Sequence, residues 1–348
     1  MHSDKVSTEK PPQMLRLPAD VSTTITAAQN SASRWQVGSR YILLVLIWSS
    51  TPLAVVWSVQ ALHPMWALTA RFILAAALAY AICRVIRLPL PRHKLALQSY
   101  LAGSLSLLGA MLLTYLAAPY LASGLISLLF GFAPLVASLI SFVWTKDQHL
   151  FGEQWLGMLI AVLGLGLICL SGERAFVQPI GIGLIFLAVL CYVGSMFWVK
   201  SIQANLHPLV QTTGSLVVSA IGIVLLIPLF WQHLPTHLPS TLTMMAILYS
   251  VVVASVIAML CYFDLVQRLN PSTVALTTVL TPVLALLWGV WFNQEHIAAG
   301  VVQGVVVVLL GLILYFVREW MAGFKATRLK QGRAQKSSPA LDKPSISG

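Results

Sequence analysis

The chain has 348 residues, of which 58% are hydrophobic and 9% charged, and it carries a formal charge of +11. Soluble domains hold roughly 25% charged residues, so the composition excludes a cytosolic globular enzyme and a disordered chain and points to lipid as the main solvent. Cys83, Cys169, Cys191 and Cys261 form no CxxC pair and have no nearby histidine partner, which indicates neither a disulfide framework nor a metal site.

Residues 1–39 are rich in Ser, Thr and Pro and hold no apolar run before Tyr41. They read as a disordered cytoplasmic tail rather than a secretory signal. Ten apolar segments follow, at 41–60, 64–84, 95–117, 120–144, 155–171, 179–199, 208–230, 241–266, 272–292 and 297–317. A membrane-crossing helix needs roughly 20 residues. The stretch 95–145 carries no charge and is too long for one span; Ala117-Ala118-Pro119 supplies the break, because proline disfavours helix for the residue before it. From Phe324 onward Lys325, Arg328, Lys330, Arg333 and Lys336 crowd a second polar tail, read as a solvated end beside anionic lipid.

Charge placement tests the span count. With the N-terminus cytoplasmic, and with Arg84 at the inner end of the second span counted with the loop it opens, all but two of the 21 Lys and Arg fall in the tails and inside loops. The exceptions are Arg174, in an outside loop, and Arg71, within a span. That asymmetry obeys the positive-inside rule and accounts for the +11 as topology, with no nucleic-acid partner required.

The two halves resemble each other. His63-Pro64 opens the second span and His207-Pro208 the seventh, 144 positions later; the same offset pairs Trp48 with Tyr192. Ala133-Pro134-Leu135 in the fourth span matches Thr281-Pro282-Val283 in the ninth, and Asp147 matches Glu295. Glycines punctuate spans five (Gly157, Gly164, Gly166) and ten (Gly300, Gly304, Gly311). Five spans per half is an odd number, so the second half enters the membrane from the opposite side. The expected fold is an all-α integral membrane protein of ten transmembrane helices in two inverted five-helix repeats. Its boundaries are 1–39 for the N-terminal tail, 40–175 and 176–318 for the repeats, and 319–348 for the basic cytoplasmic C-terminal tail.

Trp48-Ser49-Ser50, Ala70-Arg71-Phe72, Tyr120-Leu121-Ala122-Ser123-Gly124, Gln154-Trp155-Leu156-Gly157 and Arg268-Leu269-Asn270-Pro271-Ser272 complete a pattern over 41–317. It resembles the drug/metabolite transporter superfamily, specifically its EamA-type two-repeat members. The resemblance implies ten helices, both termini cytoplasmic, an inner-membrane location, and export or exchange of a small metabolite such as an amino acid or a related compound.

Arg71 lies seven residues past Pro64, about 10 Å into its span. It either anchors a substrate carboxylate or phosphate, or snorkels outward and caps backbone carbonyls. Pro134 and Pro282 fall mid-span in matching places and read as hinges or fixed bends. Trp48, Ser50, Thr114, Tyr115, Tyr192, Ser195, Tyr262, Thr277 and Thr278 are the expected substrate-pocket lining, with Trp48 and Tyr192 facing one another across the pseudo-axis. Asp264, near the end of the eighth span, reads as a coupling site or a headgroup-level acid beside Gln267 and Arg268. The spaced glycines suit close helix packing, within the chain or in a homodimer. No HExxH, GxSxG or GxxxxGK occurs, so no cofactor is expected. The predicted partners are a small-molecule substrate and the bilayer. The rival readings are a membrane enzyme on a lipid-linked substrate, a non-transporting scaffold and a channel.

Overall fold

A computed structural model describes residues 19–142, 152–171, 178–269, 274, 277–294, 299–315 and 317, with side chains for all of these except 19–34, 169–171 and 278–280. Asp147, Arg174, Glu295 and the basic tail lie outside the described residues. An apolar helix occupies each expected span. Seven are long and apolar enough to cross a membrane, and three, Gly152–Ile168, Thr281–Asn293 and Ala299–Tyr315, are shorter. Helix is the answer hydrocarbon imposes, because every backbone N–H and C=O must be satisfied within the segment.

α1 runs Ala19–Val59, with its apolar part at Trp35–Ser58. It thus begins inside the stretch 1–39 expected as a disordered tail. Extending an existing helix adds a hydrogen bond per residue without a new nucleus, so polar sequence can continue it. α2 (Pro64–Val85) and α8 (Pro208–Phe230) start alike. His63 (φ −58°, ψ 136°) and His207 (φ −57°, ψ 137°) are their caps, and each Nδ1 accepts a backbone N–H, from Met65 at 3.4 Å and from Leu209 at 3.2 Å. Proline follows at the first helical position, where its missing N–H costs nothing. His93 caps the next helix in the same way, accepting from Ala96 at 3.3 Å.

α3 (Lys94–Tyr120) contains a π-helical stretch at Leu105–Gly109, and α9 (Thr241–Arg268) contains one at Ser250–Ile257, so spans three and eight share this irregularity. α3 closes in a tight turn at Ala118–Tyr120, where the Ala-Ala-Pro break was expected. The fourth span is two helices, α4 (Ser123–Phe130) and α5 (Ala133–Ile140). Pro134 has no N–H to offer the Phe130 carbonyl four residues back. The chain tightens through Gly131 and Phe132 instead, whose N–H groups donate to Leu128 at 3.0 Å and Leu129 at 3.1 Å. Pro282, its match in the other half, sits inside α10 (Thr277–Asn293), which continues through it. The two prolines therefore do different things locally.

α6 (Gly152–Ser171), α7 (Pro179–Ile202) and α11 (Ala299–Tyr315) complete the bundle. The halves interleave: α1 packs on α10, α2 on α8, α3 on α7, and α4 on α10, while α4 and α5 also meet α7, and α1 meets α9. Exchanging the halves maps this contact pattern onto itself. α6 and α11 form a flanking pair in which backbones nearly touch. A Cβ on Gly157 would lie 2.7 Å from the Gly311 carbonyl oxygen, and one on Gly164 would lie 2.6 Å from the Val308 nitrogen. These glycines are spent on packing within one chain.

Hydroxyl and amide groups stitch the helices together in the apolar interior. Ser99 Oγ donates to Gln211 Oε1 (2.6 Å), Gln211 Nε2 donates to the Ser99 carbonyl (2.8 Å) and Ser215 Oγ (3.0 Å), and Ser195 Oγ donates to the Ala102 carbonyl (2.6 Å). Ser138 and Tyr315 hydroxyls share another such bond.

Candidate functional site

The bundle has two ends. At one, Trp57 Nε1 donates to Asn293 Oδ1 (2.8 Å), Thr243 Oγ1 donates to the Trp57 carbonyl (3.1 Å), Gln178 N–H donates to the Tyr120 carbonyl (3.2 Å), and His63 stacks on His233 with ring centres 4.3 Å apart. Partial burial, with the neighbouring His233 ring adding to it, holds the His63 imidazole below its ordinary pKa. At the other end, Asp264 accepts from Arg40 Nη1 (2.5 Å) and Arg268 Nε (2.9 Å). Gln267 Nε2 there donates to the Leu206 carbonyl (2.6 Å) and Lys200 Nζ to the Leu269 carbonyl (3.3 Å). Asp264, expected beside Arg268 at headgroup level, thus also ties α9 to α1.

Between the ends lies a cavity of about 80 Å³. α1 contributes Trp48, Thr51, Pro52 and Val55, one face of the helix at i, i+3, i+4 and i+7. α2 contributes Arg71, α3 Ser106, Met111 and Thr114, and α4 Ile126, Ser127 and Phe130. α7 adds Tyr192, α9 Ala254 and Met259, and α10 Thr281. Both halves therefore build it. A second, wider apolar groove of about 500 Å³, lined by Leu62, Trp66, Leu74, Met244 and Leu248 among others, opens on the flank. It holds no titratable group, whereas the smaller cavity holds Arg71.

The sequence candidates divide around this cavity. Trp48 and Tyr192 meet edge to face, 5.9 Å between ring centres, and both line it. Tyr262 backs them at 5.5 Å from Trp48 and 5.9 Å from Tyr192, and does not line the cavity. Ser50 turns away to share a 2.5 Å hydrogen bond with the Tyr249 hydroxyl, because its other contacts run back to the carbonyls of Leu46 and Ile47. Tyr115 is fully buried under Arg71 rather than in the wall. The side chain of Thr278 lies outside the described set. Pro134 and Pro282 both stay off the lining, although Thr281 and Phe130 beside them are on it.

Arg71 is 1% exposed, so it does not snorkel. It caps no backbone carbonyl among the described residues either: Nε donates to Ser255 Oγ (2.9 Å), Nη1 points at the Met111 sulfur (3.7 Å), and the guanidinium carbon lies 5.9 Å from the Tyr115 ring centre. Among the described residues the ion pairs are those of Asp264, and none reaches Arg71. The Tyr115 hydroxyl is buried with no hydrogen-bond partner among the described residues, while the buried hydroxyls of Tyr192 and Tyr262 lie within reach of each other. Thr51, Ser106 and Thr114 direct their hydroxyl protons to backbone carbonyls of their own helices. Their oxygens keep lone pairs to offer.

Sequence reasoning missed Thr51, Ser106, Ser127, Phe130 and Thr281 as lining and Arg40 as the partner of Asp264. Thr51 and Val55 were findable, since they follow Trp48 on one helical face. The serines were not, because hydroxyls scattered in apolar runs equally serve interhelical bonds. Cys261, one turn before Asp264, is free and 7% exposed; Cys83 is 0% exposed against the Thr213 hydroxyl at 3.2 Å.

The EamA-like transporter family model matches residues 40–170 and 179–317. Over 286 residues the chain is 27% identical to the protein named Uncharacterized inner membrane transporter YedA of Escherichia coli (strain K12), covering 78% of this chain and 90% of that one. It is 25% identical over 218 residues to Protein PecM of Dickeya dadantii (strain 3937), covering 62% and 72%. A protein solved by crystallography shares the fold at a TM-score of 0.60 and 15% identity, over 81% of this chain and 98% of its own. With two family matches filling nearly all of the apolar region, the chain is a multi-pass membrane protein and belongs to the EamA-like transporter family.

Proposed function

We propose that the protein is a secondary transporter that moves, and by family resemblance exports, a small metabolite such as an amino acid or a related compound across the inner membrane by alternating access. In this reading the three shorter apolar helices also cross, giving ten spans in two inverted five-helix repeats with both termini cytoplasmic. The matched histidine caps, the π stretches in α3 and α9, and the exchangeable contact pattern support the repeat. The end that carries Arg40 also carries Lys200 and Arg268, with Arg84, Arg87, Arg92 and Lys94 on the adjoining α2–α3 connection, which supports its assignment as cytoplasmic.

The observation that carries the proposal is the central cavity built by both halves, apolar and aromatic with one buried cation and a few hydroxyls. That is the make-up of a small-molecule site. Its volume is below the roughly 300 Å³ at which ligand clefts begin, so substrate entry requires the halves to move apart. Tyr262 and the Asp264 pairs then form the cytoplasmic barrier beneath Trp48 and Tyr192. Tyr115, Ser50 and Tyr262 act by holding the lining residues rather than by touching substrate, and the break before Pro134 is where the fourth span bends. Counterflow in proteoliposomes tests this: Trp48→Ala lowers flux about tenfold or more at unchanged expression, the scale of a lost aromatic anchor. Unchanged flux would remove the cavity from the transport path.

A further inference from the structure

We propose that the cavity selects a substrate with a single anionic group, a carboxylate, on a compact apolar body, and that Arg71 is the group that receives the charge. This rests on the transport reading of the same cavity. An arginine stays charged in any protein environment, and a buried cation is costly until an anion or a full set of acceptors meets it. Arg71 has neither. One donor goes to the Ser255 hydroxyl, one to the weakly accepting sulfur of Met111, and the Nη2 group has no protein partner among the described residues. The carboxylate of Asp264 is taken up by Arg40 and Arg268 at the far end. The charge left over faces the cavity, where a planar carboxylate fits a guanidinium fork.

The remaining walls decide the rest of the molecule. Trp48, Phe130 and Tyr192 present rings to an apolar body. The Tyr192 hydroxyl is buried beside that of Tyr262, so the one strong donor left for an anion in this wall is the Arg71 guanidinium. Thr51 and Thr114 give their protons to their own helices, so toward the cavity they offer acceptors. They tolerate an ammonium group on the substrate but supply no second cation. One guanidinium matches one negative charge, which disfavours a doubly charged phosphate monoester, and it repels an organic cation.

Four phenyl compounds of similar size separate these cases: 3-phenylpropionate, phenylalanine, phenethylamine and phenyl phosphate. Each is titrated against the detergent-purified full-length protein by intrinsic fluorescence and thermal shift. The wild type binds 3-phenylpropionate about tenfold or more tightly than phenethylamine, with phenylalanine between them and phenyl phosphate weaker than the carboxylates; a tenfold ratio is the scale of one charge-assisted contact. Arg71→Gln erases the preference and Arg71→Lys keeps part of it. Phenethylamine binding as tightly as 3-phenylpropionate overturns the assignment and leaves the transport reading intact. A full preference retained in Arg71→Gln also overturns it. The wild-type ranking decides the matter even where a variant fails to fold. Binding of none of the four overturns the charge assignment together with the cavity as a substrate site.

Discussion

The two ends of the bundle are closed by different chemistry. The Trp57 end is held by neutral hydrogen bonds and a pair of stacked imidazoles, whereas the Arg40 end is held by a carboxylate between two guanidiniums with an aromatic layer behind it. Neutral contacts are individually weak and can be remade with water, so an end built from them opens at small cost. Charged contacts at a partly buried position are costly to separate without new partners. The difference teaches that the Arg40 end is the costlier of the two to separate, so that under the proposed transport cycle its opening needs a compensating event such as substrate binding.

The sharpest way to break the comparison is Asp264→Asn. It leaves Arg40 and Arg268 facing each other without a counter-charge. The expected outcome is a loss of about 1–2 kcal/mol in stability, discounted from the buried-pair value because both arginines are partly exposed. Counterflow falls severalfold. A melting temperature equal to wild type would mean the pairs are not a closure. The reciprocal exchange, Arg40→Asp with Asp264→Arg, recovers part of that loss while either single change does not; equal deficits in the double and single variants would mean that the two side chains do not act as a pair.

Trp57→Phe probes the opposite end. It removes one hydrogen bond to Asn293 while keeping an aromatic ring, and about 0.5–1.5 kcal/mol is the expected change. Flux is kept within a factor of two. A larger drop than that of Asp264→Asn would invert the ranking of the two ends.

The smallest effect concerns pH. His63 accepts the Met65 N–H through a neutral Nδ1, and its pKa is lowered below the ordinary 6.5. A group with a depressed folded pKa contributes stability that is present above the unfolded value and is lost as pH falls through the folded one. Melting temperature should therefore decline slightly as pH drops below about 6.5, and His63→Asn, which keeps a cap without a titrating ring, should flatten that slope. An identical slope in the variant would assign the decline to other groups.

The predictions draw on features of very different legibility. The helices were readable from unbroken apolar length, and the histidine caps from His-Pro recurring 144 residues apart. The Trp48–Tyr192 contact joins two residues matched at that same offset, which is what marked the pair out in the sequence. The Arg40–Asp264 pair was not readable: 224 residues separate its members, and Arg40 stood at the edge of a presumed tail. Which helices adjoin decides such a pair, and charge spacing along the chain carries no trace of it. Arg71 was visible as the lone base within a span, but that no acid among the described residues pairs with it was not, because that depends on where the acids of the bundle end up.

The position of Cys261 makes the molecule its own indicator. It lies one turn from Asp264 and is almost fully covered while the charged end is shut, whereas Cys83 stays sealed against Thr213. Under the proposed transport cycle, a small membrane-impermeant thiol reagent applied from the side of the Arg40 end should therefore modify Cys261 in proportion to the time that end spends open, with Cys83 as the silent reference. On that reading the natural sequence carries its own clock, read as modification of Cys261 relative to Cys83.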